Sequence, residues 1–183
     1  MRIIGGKHKG FRFIPPAKNW PTRPTTDFAR EALFNILTNQ LDFEDIRVLD
    51  LFGGTGSHSY ECISRGCKDV TYVDKHPGCL KFVSKISQQL NMEDHLLIVK
   101  SDVFSFIQTA KSSAYDYIFA GPPFGLPQLS ALPDLILSQF SLLASGGLFV
   151  LEHDQHFAFE QSPYFRELRK YGGTHFTFFR LPD

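Results

Sequence analysis

The chain has 183 residues, 43% of them hydrophobic and 21% charged, and its 19 basic and 19 acidic side chains cancel. That length holds one domain with a sizeable core. No apolar run approaches the ~20 residues that span a bilayer, and the start "MRIIGGKHKG" carries charge and glycine where a signal peptide has its apolar stretch. Three cysteines, Cys62, Cys67 and Cys79, form no CxxC pair and no even set, so free thiols in a cytoplasmic protein are expected rather than a disulfide scaffold or a metal centre.

The charge is unevenly spread. Residues 1–30 hold seven basic side chains against one acid, Asp27, a net +6; the remaining 153 residues hold 12 basic and 18 acidic, a net −6. A basic segment on a mildly acidic body suits an anionic partner that meets the N-terminus, although a solvated surface arm would look the same.

In chain order, "RIIGG" and "FRFI" flank "KHKG" and predict a short hairpin. Residues 15–26, "PPAKNWPTRPTT", are too proline-rich for regular structure. A helix follows, with Thr26 as cap, Asp27 and Glu31 in its positive first turn, and Phe28, Leu33, Ile36 and Leu37 near one face. From Arg47 the pattern alternates. Strand-like "RVLDLF", "DVTYVD", "HLLIVKSD" and "YDYIFA" are followed by helical stretches near 57–65, 78–90, 103–109 and 133–143, and then comes the strand "GGLFVLEH". Such alternation predicts a parallel sheet covered on both faces. The last segments, "YFRELRKY" and "THFTFFRL", are joined by Gly172 and Gly173 and predict an antiparallel hairpin. The division expected is a basic hairpin and loop over 1–25 and an α/β core over 26–183, in one domain.

Three features carry chemistry. In "VLDLFGGTG" a strand runs into Gly53, Gly54 and Gly56 with a helix behind. Such a turn lets backbone approach a ligand and aims helix N–H groups at it. It reads either as a nucleotide-like cofactor loop or as a tight structural turn, since Ser59 stands where a dinucleotide fingerprint has its third glycine. Asp50, Asp74 and Asp102 end three successive strands. Each alone is an ordinary polar strand end, but together they mark the edge where open α/β sheets bind ligands, and an acid at the second position can accept both hydroxyls of a ribose. "GPPF", residues 121–124, ends the fourth strand on that edge. Two prolines stiffen it, and Phe124 offers a flat face on which a base stacks for ~1–3 kcal/mol. A rigid set of carbonyl acceptors beside an aromatic suits chemistry on the amino group of a planar ring. Glu152, His153, Asp154 and His156 in "EHDQH" could ligate a metal, but no Cys or other His lies close by in the sequence, so no metal is expected.

These residues resemble the class I S-adenosylmethionine-dependent methyltransferases that act on amino groups. More narrowly, "MRIIGGKHKG", "TRPTTDFAREALFNIL", "LDLFGGTGSHSYECISRG" and "RKYGGTHFTFF" resemble the bacterial RsmD family, over nearly the whole chain. The resemblance implies a Rossmann-like seven-stranded mixed sheet with the last strand antiparallel, plus the N-terminal hairpin. It implies methyl transfer from S-adenosylmethionine to the exocyclic N2 of one guanine in small-subunit ribosomal RNA, by a cytoplasmic and monomeric enzyme. By position, the cofactor would lie on Phe52, Gly53, Gly54, Thr55 and Gly56, with Asp50 near its methionine end. Asp74 and Lys75 would meet the ribose, and Asp102 and Val103 the adenine. Gly121, Pro122, Pro123 and Phe124 would form the catalytic loop, and Lys7, Lys9, Arg12, Arg23 and Arg30 would contact RNA phosphates, which dominate such affinity.

The chain departs from the family pattern at four positions. Gly121 stands where Asp or Asn is expected, His58 and Ser59 replace an apolar residue and a glycine, and Phe28 replaces a basic residue. An aromatic amine's lone pair is delocalised into its ring, so an enzyme must accept the amine's hydrogens and aim its nitrogen. Without an acidic side chain at 121, the Gly121 and Pro122 carbonyls suffice, or Asp27 or Glu152 substitutes, or catalysis is weak. The rivals are a cofactor-binding RNA-binding or assembly protein without catalysis, a DNA adenine-N6 methyltransferase, and a nicotinamide-dependent oxidoreductase. The last leaves the "PPF" loop and the basic arm unexplained.

Overall fold

A computed structural model describes residues 1–16, 25–112 and 114–181. A seven-stranded sheet runs in the order β3-β2-β1-β4-β5-β7-β6. Its strands are β1 (Arg47–Leu51), β2 (Asp69–Asp74), β3 (Leu96–Lys100), β4 (Tyr115–Ala120), β5 (Leu143–His153), β6 (Phe165–Tyr171) and β7 (Thr174–Arg180). β1 to β5 pair in parallel, and β7 lies antiparallel to both β5 and β6. The mixed sheet expected from the sequence is thus present, with its last strand reversed.

The helices are α1 (Asp27–Thr38), α2 (Ser57–Ser64), α3 (Pro77–Leu90), α4 (Val103–Thr109) and α5 (Leu132–Asp134). Among the described residues no helix is long and apolar enough to cross a membrane.

Successive strand residues feed opposite faces. Val48, Tyr117, Phe119 and Val150 pack into one core cluster, and Leu49, Ile118, Ala120 and Leu151 into a second. Burial on both faces explains why these strands read as continuous apolar runs rather than alternating ones. Strand order reverses between β1 and β4, so the carboxyl ends of those two strands open a crevice at the switch point.

Two local expectations change. A helix over 133–143 is replaced by α5 between a 3-10 turn (Leu129–Ala131) and a π turn (Leu135–Gln139). Pro133 fits only the first turn of a helix, and β5 begins already at Leu143, pairing with Tyr115. In α1, Thr26 caps Ala29 N–H as expected. The buried face, however, is Ala29, Arg30, Leu33, Phe34 and Leu37, while Phe28 is 70% exposed with its ring edge-on to Tyr171.

The N-terminal hairpin closes with Arg2 opposite Arg12 and is docked on α2. Ile3 and Phe13 are buried. The N–H groups of Ile4 and Gly5 donate to the two carboxylate oxygens of Glu61, at 2.8 and 2.7 Å. Glu61 is itself fully buried and paired with Arg65 at 2.9 Å.

Candidate active site

β1 carries Asp50 into the switch point and then turns sharply. Phe52 has φ 58, a left-handed conformation that costs an aromatic residue ~1–3 kcal/mol and persists only where the surrounding structure holds it. Three bonds hold the loop that follows. Gly53 N–H donates to the Val73 carbonyl at 3.1 Å, Gly54 N–H to Asp74 Oδ2 at 3.0 Å, and the Tyr72 hydroxyl to the Gly54 carbonyl at 2.7 Å. A Cβ on Gly53 would stand 2.2 Å from a Tyr72 ring carbon, so only glycine lets the loop lie on that ring.

The three strand-end acids are all engaged. Asp50 is buried and accepts the Ser59 hydroxyl at 2.6 Å and its N–H at 3.2 Å. Burial pushes its carboxyl up to about 7, against the opposing pull of the Ser59 bonds. Asp74 Oδ1 accepts His76 N–H at 2.8 Å. Asp102 caps α4 through Phe104 N–H and Ser105 N–H, and its other oxygen lies 3.6 Å from Lys75 Nζ. Val103 is the buried first residue of α4.

Gly121 leaves β4 with its N–H on the Leu51 carbonyl at 3.2 Å. Pro122 is buried, and Pro123 and Phe124 are exposed. Between this loop and the glycine loop lies a cavity of about 290 Å3. It joins Asp50, Phe52 and residues 53–55 to all four residues of the 121–124 loop. Gly56, Asp74, Lys75, Asp102 and Val103 do not line it; Gly56 caps α2 behind the glycine loop, and the other four follow the sheet edge outward at the ends of β2 and β3.

Three further ionisable side chains also face the cavity: Arg30, expected on RNA; His58, noted only as a departure from the family pattern; and Glu152, one of the expected stand-ins for the missing acid at 121. Arg30 is 1% exposed. One of its terminal nitrogens, Nη2, donates to the Arg2 carbonyl and to Asp27 Oδ1, the latter at 2.9 Å, while Nε and Nη1 are buried without a hydrogen-bond partner. Burial lowers its pKa, offset in part by Asp27 and Glu61. His58 stacks on Phe119 at 3.8 Å with planes 5° apart, and its Nε2 lies 3.0 Å from the Tyr117 hydroxyl. Burial, then the nearby Arg30 charge, hold it well below the usual histidine range, so it is a neutral ring. Glu152 is buried, accepts the Thr25 hydroxyl at 2.5 Å, and is pushed up to about 7 by burial.

The residues present fit S-adenosylmethionine. An under-compensated guanidinium with two orphaned nitrogens, beside a glycine cradle, suits a carboxylate at the amino-acid end of such a molecule.

The family model described as "Conserved hypothetical protein 95", the RsmD family, matches residues 1–180. The chain belongs to this family. It is 32% identical to YlbH of Bacillus subtilis, named as a candidate rRNA methyltransferase, over 85% of this chain and 83% of the other. It is 29% identical to the ribosomal RNA small subunit methyltransferase D of Buchnera aphidicola, over 84% and 76%. Among solved structures, yhhF of Escherichia coli superposes with a TM-score of 0.83 at 26% identity, covering 100% of this chain and 98% of that one.

The positions expected to contact RNA in this RsmD-family chain separate. Lys7, Lys9 and Arg12 are exposed on the docked hairpin. Arg30 faces inward to the cavity instead of outward. Arg23 lies outside the described residues. In the 152–156 segment His153 Nε2 sits 2.7 Å from the Thr177 hydroxyl and His156 pairs with Asp154 at 3.0 Å. Among the described residues no three potential ligands gather for a metal.

Proposed function

We propose that the chain transfers a methyl group from S-adenosylmethionine to the exocyclic N2 amine of a guanine in small-subunit ribosomal RNA. The observation that carries this is the single cavity shared by the glycine loop and the 121–124 loop. Kinship with small-subunit rRNA methyltransferases of Buchnera and Escherichia coli supports the substrate class.

Residues 53–56 and Asp74 hold the nucleoside end of the cofactor, with Asp50 toward its amino group and Arg30 on its carboxylate. When bound, S-adenosylmethionine supplies an electrophilic methyl group; the N–C bond forms as the C–S bond breaks, and that electron pair stays on sulfur. The chain's own task is to present the amine. A flipped guanine stacks on the exposed ring of Phe124, which is 42% accessible at the rim. The Pro122 carbonyl accepts one amine hydrogen and orients the nitrogen. The stiffness of the two prolines keeps that acceptor in place without reorganisation during the reaction.

Mass spectrometry of small-subunit RNA from cells with and without the gene tests this. One N2-methylguanosine should disappear with the gene and return on complementation. A different methylated base, or an unchanged RNA, would overturn it.

A further inference from the structure

We propose that Glu152 is the acceptor that meets the target amine, standing where a side chain on residue 121 would otherwise reach. The inference rests on the guanine-N2 reading and deepens it. β4 and β5 are parallel neighbours with Ala120 opposite Leu151, so the next residues along, Gly121 and Glu152, face each other. They share parity with Phe119 and Val150, whose side chains lie in the first core cluster, and both line the cavity. A Cβ built on Gly121 would be 3.8 Å from Glu152 Oε2. An acidic side chain grown from 121 would thus put its carboxyl beside the one Glu152 already provides.

The other carboxylates fit less well. Asp50 receives both the hydroxyl and the N–H of Ser59 on one oxygen and belongs to the glycine-loop side. Asp27 is spent on Arg30 and Arg2 and does not line the cavity. Glu152 is 6% exposed, and the Thr25 hydroxyl fixes its Oε2 at 2.5 Å. Its carboxyl is pushed up to about 7 by burial, close to working pH, as suits a group that first accepts a hydrogen bond and then takes a proton. The step balances: the amine nitrogen gains the methyl carbon, and the proton it sheds passes to the Glu152 carboxylate and on to water.

The test uses the fragment of small-subunit RNA that carries the methylated guanine. It is made with guanosine or with inosine at that position, inosine lacking only the N2 amine. Binding is measured to the full chain saturated with S-adenosylhomocysteine. The wild type should prefer guanosine about tenfold or more, the scale of a hydrogen bond to a charged group. Glu152→Met should cut that preference about tenfold, leaving only what the Pro122 carbonyl supplies, while S-adenosylhomocysteine affinity, by calorimetry, stays unchanged. A Glu152→Met protein that keeps the wild-type preference overturns the role of Glu152 alone. A wild type without preference overturns the guanine-N2 reading and this role with it. Where Glu152→Met loses S-adenosylhomocysteine affinity, Glu152→Gln decides. Turnover lowered at least ~100-fold with both affinities kept supports the role, since that is the scale of losing one preorganised group; unchanged turnover overturns it.

Discussion

The N–H of Gly54 donates to Oδ2 of Asp74 at 3.0 Å, so the acid that ends β2 is a strut of the glycine loop as well as the proposed ribose acceptor. Asp74→Ala should therefore do two things. It should weaken S-adenosylmethionine by ~1–3 kcal/mol through lost charged hydrogen bonds, and destabilise the fold by a similar ~1–3 kcal/mol because a buried Gly54 N–H loses its partner. Calorimetry and urea unfolding separate the two. An unchanged cofactor affinity in a destabilised protein would assign Asp74 to the loop alone.

Arg30 makes a sharper test of cofactor orientation. Arg30→Met should weaken S-adenosylmethionine about tenfold to hundredfold, the scale of charge-assisted hydrogen bonds. Affinity for methylthioadenosine, which lacks the whole amino-acid end, should stay within about twofold. Equal losses for both ligands would mean that the mutation perturbs the fold around Arg2 and Asp27 instead of a carboxylate contact.

The contrast between Arg30 and Phe28 shows what the sequence could and could not convey. Strand ends, the three acids and both loops were legible because they depend on local signals: apolar runs stopped by glycine or proline, with an acid at the stop. Periodicity placed Phe28 on the apolar face of α1 and left Arg30 for RNA. The fold reverses them because Asp27 and the Arg2 carbonyl reach the guanidinium and let it be buried. That partnership depends on the docked hairpin and leaves no mark on hydrophobic spacing. Opposition of Gly121 and Glu152 was equally hidden, since it arises from the β4–β5 register across some 30 residues of chain.

The hairpin itself constrains how RNA binding is tested. Removing residues 1–13 would strip Glu61 of two N–H donors and expose a buried carboxylate, so a deletion confuses folding with binding. Lys7→Glu with Lys9→Glu leaves those hydrogen bonds alone. It should weaken RNA affinity, with the slope of log affinity against log salt falling by about 0.7–0.9 for each phosphate no longer neutralised. The melting temperature and the cofactor affinity should stay constant. An RNA affinity indifferent to both reversals would confine the hairpin to a structural role.

Glu152 predicts opposite pH dependences for stability and for rate. Its folded-state pKa is raised from 4.5 to about 7 by burial. The protonated form is therefore the better tolerated one in the fold. That stability is fully present below about pH 4.5 and is lost as pH rises to about 7, by on the order of 3 kcal/mol. Turnover should run the other way, falling as pH drops below about 7, because only the carboxylate accepts. Asp50, Arg30 and His58 share the cavity, and Asp50 is also pushed up to about 7, so the comparison with Glu152→Gln isolates the Glu152 share. Chemical unfolding and single-turnover rates across pH 5–8 should both flatten in that variant. A variant whose two profiles match the wild type would remove Glu152 from either account.

Gly121→Asp sets two carboxylates against each other. Gly121 is not in a left-handed conformation, so an L-residue is allowed there, and its Cβ would meet Phe119 at 3.2 Å and Glu152 Oε2 at 3.8 Å. The ring must give by a few tenths of an ångström, and like charges that close push one pKa up. In the wild-type background the substitution should lower turnover, by about tenfold for each unit by which it raises the pKa of the working carboxylate above the assay pH. In the Glu152→Gln background the same substitution should raise turnover, because the new carboxyl then stands alone as acceptor. The two effects have opposite signs, which no independent pair of sites can produce, and the coupling is the quantity a double-mutant cycle measures. Additive effects would separate Gly121 from Glu152 and return the amine to the backbone carbonyls of the 121–124 loop.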